Sequence, residues 1–215
     1  MKKKGITIIM GIIFLGAIWG ILEASMGNVL HWIGLHPFTG AIMTSIGLGL
    51  LSFGRTLYRK RGSGIIMGIV AAAIKAIDFL IPGSNVLRPI IAILLVSLAF
   101  EAIVIVTEKL KETNLLQLAK GLVAGYISIA SFAYFTAYIL HFKYWLSMGF
   151  VGILKYIITD GWMFGLGGAA LMWAGHHLVN WSNKSFKLEQ VVQTGPYYRV
   201  SVAGTFILIL LAALV

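Results

Sequence analysis

The sequence predicts an all-α fold: a polytopic integral membrane bundle of six or seven transmembrane helices, with the N-terminus cytoplasmic. Three observations carry this. Of the 215 residues, 59% are hydrophobic and only 11% charged, where a soluble domain averages about 25% charged. Apolar stretches near the ~20 residues that one helical crossing needs recur in series and use most of the chain. Basic residues then alternate from connection to connection in the way that positive charge marks cytoplasmic loops.

Seven candidate spans follow in order: 6–27, 38–54, 64–81, 86–107, 115–140, 147–178 and 200–215. The first follows Lys2-Lys3-Lys4, and its apolar run exceeds the roughly 7–15 residues of a signal-peptide core, so it reads as a retained helix. His36-Pro37 opens the second span, where proline suits a first helical turn. Arg59-Lys60-Arg61-Gly62 separates spans two and three, and Pro82-Gly83-Ser84-Asn85 separates three and four. Lys109 to Asn114 and Asn180 to Tyr198 supply the later breaks. With the N-terminus inside, Lys2, Lys3, Lys4, Arg55, Arg59, Lys60, Arg61, Lys109, Lys111, Lys120, Lys184, Lys187 and Arg199 are cytoplasmic, 13 of the 17 basic residues. Only Lys75, Arg88, Lys143 and Lys155 fall in outer loops or within spans. No repeat or linker divides residues 1–215, which read as a single transmembrane domain, multi-pass in the cell membrane.

The net charge of +10 belongs to this loop asymmetry, and no nucleic-acid partner is expected. Lack of cysteine removes disulfides, thiolate nucleophiles and Cys-ligated metals. There is no phosphate loop and no H-E-x-x-H pattern, and no cofactor is expected. His176-His177 points its two rings to different helix faces and is not read as a metal pair. Glu101 and Glu108, toward the inner end of span four, read as interfacial.

Small residues recur every fourth position in three spans: Gly16, Gly20 and Ala24; Gly64, Gly68, Ala72 and Ala76; Gly161, Gly165 and Ala169. Such stripes let helix backbones approach closely, either inside the bundle or against another membrane subunit.

The candidate site comes from intramembrane charge. Glu23, Lys75, Asp78, Lys155 and Asp160 fall within spans toward the outer half, and Arg88 opens span four at the outer surface. An ionisable group at a helix centre costs roughly 2.5–3.5 kcal/mol on insertion scales, so it normally faces a partner or a cavity. Lys75 and Asp78 can pair at i, i+3, with Arg88 reaching Asp78 across the turn. Asp160 has no obvious partner on its own helix, and Lys75 is its nearest candidate in depth. An outward-facing polar pocket between spans one, three, four and six accommodates all six groups. Trp19 and Trp162 lie at the same depth, and the loop 28–37 is short enough to fold over it. Mixed charges suit a small polar or zwitterionic ligand.

The stretch Gly34-Leu35-His36-Pro37-Phe38-Thr39-Gly40-Ala41-Ile42-Met43, followed by span two, the basic loop and Gly62-Ser63-Gly64-Ile65-Ile66-Met67-Gly68, resembles the substrate-binding S component of energy-coupling factor (ECF) transporters. Chain length and the small-residue spacing of the first span add to the likeness, which covers roughly residues 10–80. The resemblance implies a binder of a vitamin-like nutrient with no ATPase of its own. Its implied partners are a transmembrane coupling subunit and ATPase subunits. That family usually has six helices against the seven counted here. A second stretch, Gln193-Thr194-Gly195-Pro196-Tyr197-Tyr198-Arg199-Val200, is similar to the start of a motif in integral membrane methyltransferases of the isoprenylcysteine carboxyl methyltransferase group. It lacks the following Arg-His-Pro; Ser201-Val202-Ala203 stands there instead. A secondary transporter of a small polar solute is the remaining alternative. Outward charge favours transport over methyl transfer, and no enzymatic activity is expected.

Overall fold

The computed structural model describes residues 2–80 and 86–212, and in these every regular element is helical. The helices are α1 (Lys2–Trp32), α2 (His36–Tyr58), α3 (Ser63–Lys75), α4 (Leu87–Val106), α5 (Asn114–Tyr138), α6 (Lys143–Thr159), α7 (Trp162–Phe186), α8 (Leu188–Val191) and α9 (Gly195–Ala212). A 3-10 turn, Ala76–Leu80, continues α3. The expected turn Pro82–Asn85 and the end of the last span lie outside the described residues.

Among the described residues, six helical segments are long and apolar enough to cross a membrane: Gly5–Met26, Phe38–Tyr58, Ser63–Leu80, Leu87–Val106, Asn114–Tyr138 and Gly195–Ala212. To these packing adds α7. It runs parallel to α2 from Phe164 beside Gly40, through Leu171 beside Gly49, to His176 hydrogen-bonded to Thr56. A helix that accompanies a spanning helix over that length crosses with it. Its glycines and its His176-His177 pair lower its hydropathy without changing its course.

Neighbouring pairs fix the remaining directions. Gly54 meets Leu15 and Gly47 meets Trp19, so α2 is antiparallel to α1. Gly16 lies on Met67 and Val70, and Gly20 on Ala71 and Ile74, so α3 runs with α1. Gly64 faces Phe100 and Glu101 while Gly68 faces Ser97, which sets α4 antiparallel to α3. Gly121 faces Gly168 and Gly125 faces Phe164, which sets α5 antiparallel to α7. Phe14 meets Gly204, and further along both helices Ala17 and Ile21 cluster with Leu208 and Ala212; α9 therefore runs with α1. All three small-residue stripes are thus spent on contacts within the bundle, because small residues there let backbones touch. The main core joins α1, α2, α3 and α4 around Trp19, Leu48, Leu51, Met67 and Phe100.

Two expectations are corrected. The stretch 147–178 is not one helix. A continuous helix of that length would run roughly 48 Å at 1.5 Å per residue, well beyond the ~30 Å hydrocarbon core. It breaks at Asp160-Gly161, and α6 is kinked again at Gly149, whose φ of 64° and ψ of 178° are open essentially to glycine alone. α6 folds back along the outer half of α5, with Trp145 against Phe132 and Phe150 against Tyr134, and α7 completes the return. The loop 28–37 is not a loop either. α1 continues to Trp32, and only residues 33–35, with Gly34 at φ 81°, connect it to α2. No flap therefore remains to fold over a pocket.

Candidate functional site

Where α3 tightens into its 3-10 turn, the chain carries Lys75 and Asp78. Both are buried. The i, i+3 spacing brings them together as the sequence suggests: Lys75 Nζ donates to Asp78 Oδ2 at 2.6 Å. The same ammonium reaches the backbone carbonyl of Glu23 on α1, at 3.3 Å. The Glu23 side chain is buried as well and accepts from Trp19 Nε1 at 3.1 Å, one helical turn back. Trp19 is fully buried against Gly47 of α2.

Four of the eight sequence-predicted residues therefore form one buried quartet, Trp19, Glu23, Lys75 and Asp78, across α1 and α3. It lies toward the outer end of the bundle, beyond the crossing of Gly20 with Ala71. The ammonium bonds the Asp78 carboxylate and the backbone carbonyl of Glu23, while the Glu23 carboxylate bonds Trp19. The 3-10 turn closes α3, as 3-10 turns often close α-helices, and the ion pair spans the change of geometry.

The other four stand apart from it. Arg88 is not bound to Asp78: its guanidinium lies over the Phe142 ring, 4.8 Å from the centroid, at the turn between α5 and α6. Asp160 does not pair with Lys75, whose ammonium is already committed. It caps the end of α6 and accepts from Thr159 Oγ1 at 2.6 Å. Lys155 is exposed on α6. Trp162 is 51% exposed and borders an open apolar groove of about 450 Å³ between α2 and α7, floored by Ala41, Ser45 and Gly167.

At the cytoplasmic end lies a polar assembly that sequence reasoning underweighted. Glu101, at the inner end of its span, is buried within the bundle. Its Oε1 accepts from the Gly62 N–H at 2.6 Å and its Oε2 from the Gly64 N–H at 3.1 Å. It thus serves the free N–H groups at the start of α3, where negative charge is favoured. Gly62 is the N-cap at φ 76°, a conformation that suits glycine. Arg55 of α2 lies 3.7 Å from Glu101 and 3.7 Å from Glu108. Arg61 grips Glu108 through Nε at 3.1 Å and Nη2 at 2.6 Å. These bonds, with lesser attraction from the Arg61 and Arg55 charges, hold the Glu108 carboxyl below the usual carboxylate range. Arg59 bonds Glu189 at 2.8 Å, and the Tyr58 and Tyr197 hydroxyls meet at 2.6 Å. A glycine-rich helix start facing a lone acid in the next span was the available signal for Glu101. Compared with known proteins, the chain matches no family model, no curated sequence and no solved structure.

Proposed function

We propose that the chain is the solute-binding subunit of a membrane uptake transporter, with the quartet between α1 and α3 as its binding centre. The observation that carries this reading is the burial of Glu23, Lys75 and Asp78 toward the outer end of a membrane-spanning bundle. Ionisable groups are retained at such depth at a cost of several kcal/mol and usually mark a solute or ion path. Lys75 bonds Asp78 and a mid-helix carbonyl, Glu23 bonds Trp19, and Glu101 shows how this bundle treats a charge that a helix end requires. Buried carboxylates close to a buried ammonium suit a small polar or zwitterionic solute. Arg88, Lys155, Asp160 and Trp162 stand at the outer rim.

The finer reading is the S-component role, in which separate ATPase subunits and a membrane coupling subunit energise uptake. On this reading the purified chain retains a solute but moves it only when coexpressed with those partners. Uptake by the isolated chain without ATP would make it a secondary transporter. Methyl transfer from S-adenosylmethionine, abolished by Arg199→Ala, would make it an enzyme. Against that last outcome stands Tyr197, whose hydroxyl is taken up in fastening α9 to α2.

A further inference from the structure

Lys75 has a counterpart at the opposite end. Lys120 of α5 is the other buried lysine among the described residues, its side chain 3% exposed, and the transport reading makes no use of it. Its ammonium donates to Oε1 of Glu112. Gln117, also buried and three residues earlier on the same helix face, donates through Nε2 to the other oxygen, Oε2, at 2.5 Å. One carboxylate is therefore held at both oxygens by two buried donors fixed on α5.

The acceptor is unlike its donors. Glu112 lies outside the helix, in the connection ahead of the N-cap residue Thr113, and its side chain is 48% exposed. A buried ammonium needs a counter-charge, but nothing in the helix requires that charge to come from Glu112. Beside the pair, His176 of α7 lies within electrostatic reach of both partners. Its ring nitrogens bond Thr56 Oγ1 at 3.1 Å and Asn180 Nδ2 at 2.9 Å, which places further polar groups at the same depth. Fixed, buried donors with an exposed, exchangeable carboxylate are the parts of an anion site filled from within the chain.

We infer that Lys120 and Gln117 form a second site, open to the cytoplasm, for a small carboxylate-bearing solute, and that Glu112 occupies it in cis until such a solute displaces it. Exchange is one carboxylate for another, so the buried charge stays balanced throughout. The inference does not depend on the quartet or on the transport reading.

The test uses the full chain in lipid nanodiscs, with a spin label at Lys111→Cys, next to Glu112 in a protein without native cysteine. Acetate and succinate are titrated against chloride at constant ionic strength. The expected result is a saturable rise in label mobility with carboxylate and not with chloride, lost when Lys120→Met is added. A second measurement uses Glu112→Gln, whose thermal midpoint should fall and be restored by acetate but not by chloride, with no restoration in Glu112→Gln combined with Lys120→Met. Label mobility unchanged by carboxylate, an equal response to chloride, or acetate rescue that persists without Lys120 would each overturn the proposal.

Discussion

The two ends of this bundle bury charge for different reasons. At the cytoplasmic end Glu101 binds backbone: two N–H groups at the start of α3 and the guanidinium of Arg55 on α2. It joins three helices and answers a need that any buried helix start would have. At the outer end Lys75 and Asp78 bond each other within a single helix, and Glu23 takes its one N–H from a tryptophan on its own helix. A bond from Lys75 to a carbonyl of α1 crosses between helices there. The comparison separates charges that the fold uses from charges that the fold accommodates.

The largest effect should come from Glu101→Ala. Two N–H groups lose their acceptor and Arg55 loses a partner inside the bundle. Losing one member of a buried pair costs about 3–5 kcal/mol, and the variant should unfold well below wild type in thermal melts. Asp78→Asn should come next. It leaves the Lys75 ammonium buried beside a neutral amide, for a loss of about 3 kcal/mol, and adding Lys75→Met should recover most of it as a coupled pair. Recovery would mark the outer pair as dispensable to folding. Without recovery the contrast between the two ends would weaken.

Gly125→Ala tests the crossing that places α7. The added methyl would meet the Phe164 carbonyl and sit 2.9 Å from the Gly165 backbone nitrogen. Backbone cannot give way as a flexible side chain can, so overpacking should cost about 1–3 kcal/mol. Arg61→Ala should do least. Its pair with Glu108 is solvent-exposed, and such pairs contribute little. Because the folded Glu108 carboxyl lies below its usual range, the pair's contribution is present above the unfolded carboxyl pKa and fades as pH falls through the lowered one. At neutral pH the melting curve of Arg61→Ala should overlay wild type, more closely still in high salt.

Helix type and the helix breaks at Pro37 and at Arg59–Gly62 were legible because apolar length, proline and basic clusters are local signals. The pairing of Lys75 with Asp78 was legible for the same reason: three residues on one helix decide it. What could not be read was set between helices. Asp160 reads as mid-helix only while 147–178 is a single helix, whereas the structure ends α6 there with Asp160 as its C-cap. Arg88 finds Phe142, an aromatic far along the chain, in place of the acid ten residues before it. The backbone partners of Glu101 emerge only when α3 is placed against α4. Trp19 and Glu23 were singled out by depth alone, and their mutual bond follows from a spacing of four.

The central claim is that the outer quartet serves a solute and not the fold, and Glu23→Gln tests it most directly. Glutamine keeps an acceptor for Trp19 and removes only the charge. Native mass spectrometry and a thermal melt on the same preparations give both readouts. The account predicts that wild type carries a bound small molecule of defined mass, and that Glu23→Gln carries none while melting within a few degrees of wild type, as expected for a change of ~1 kcal/mol or less. A Glu23→Gln protein that retains the solute at wild-type occupancy would contradict it.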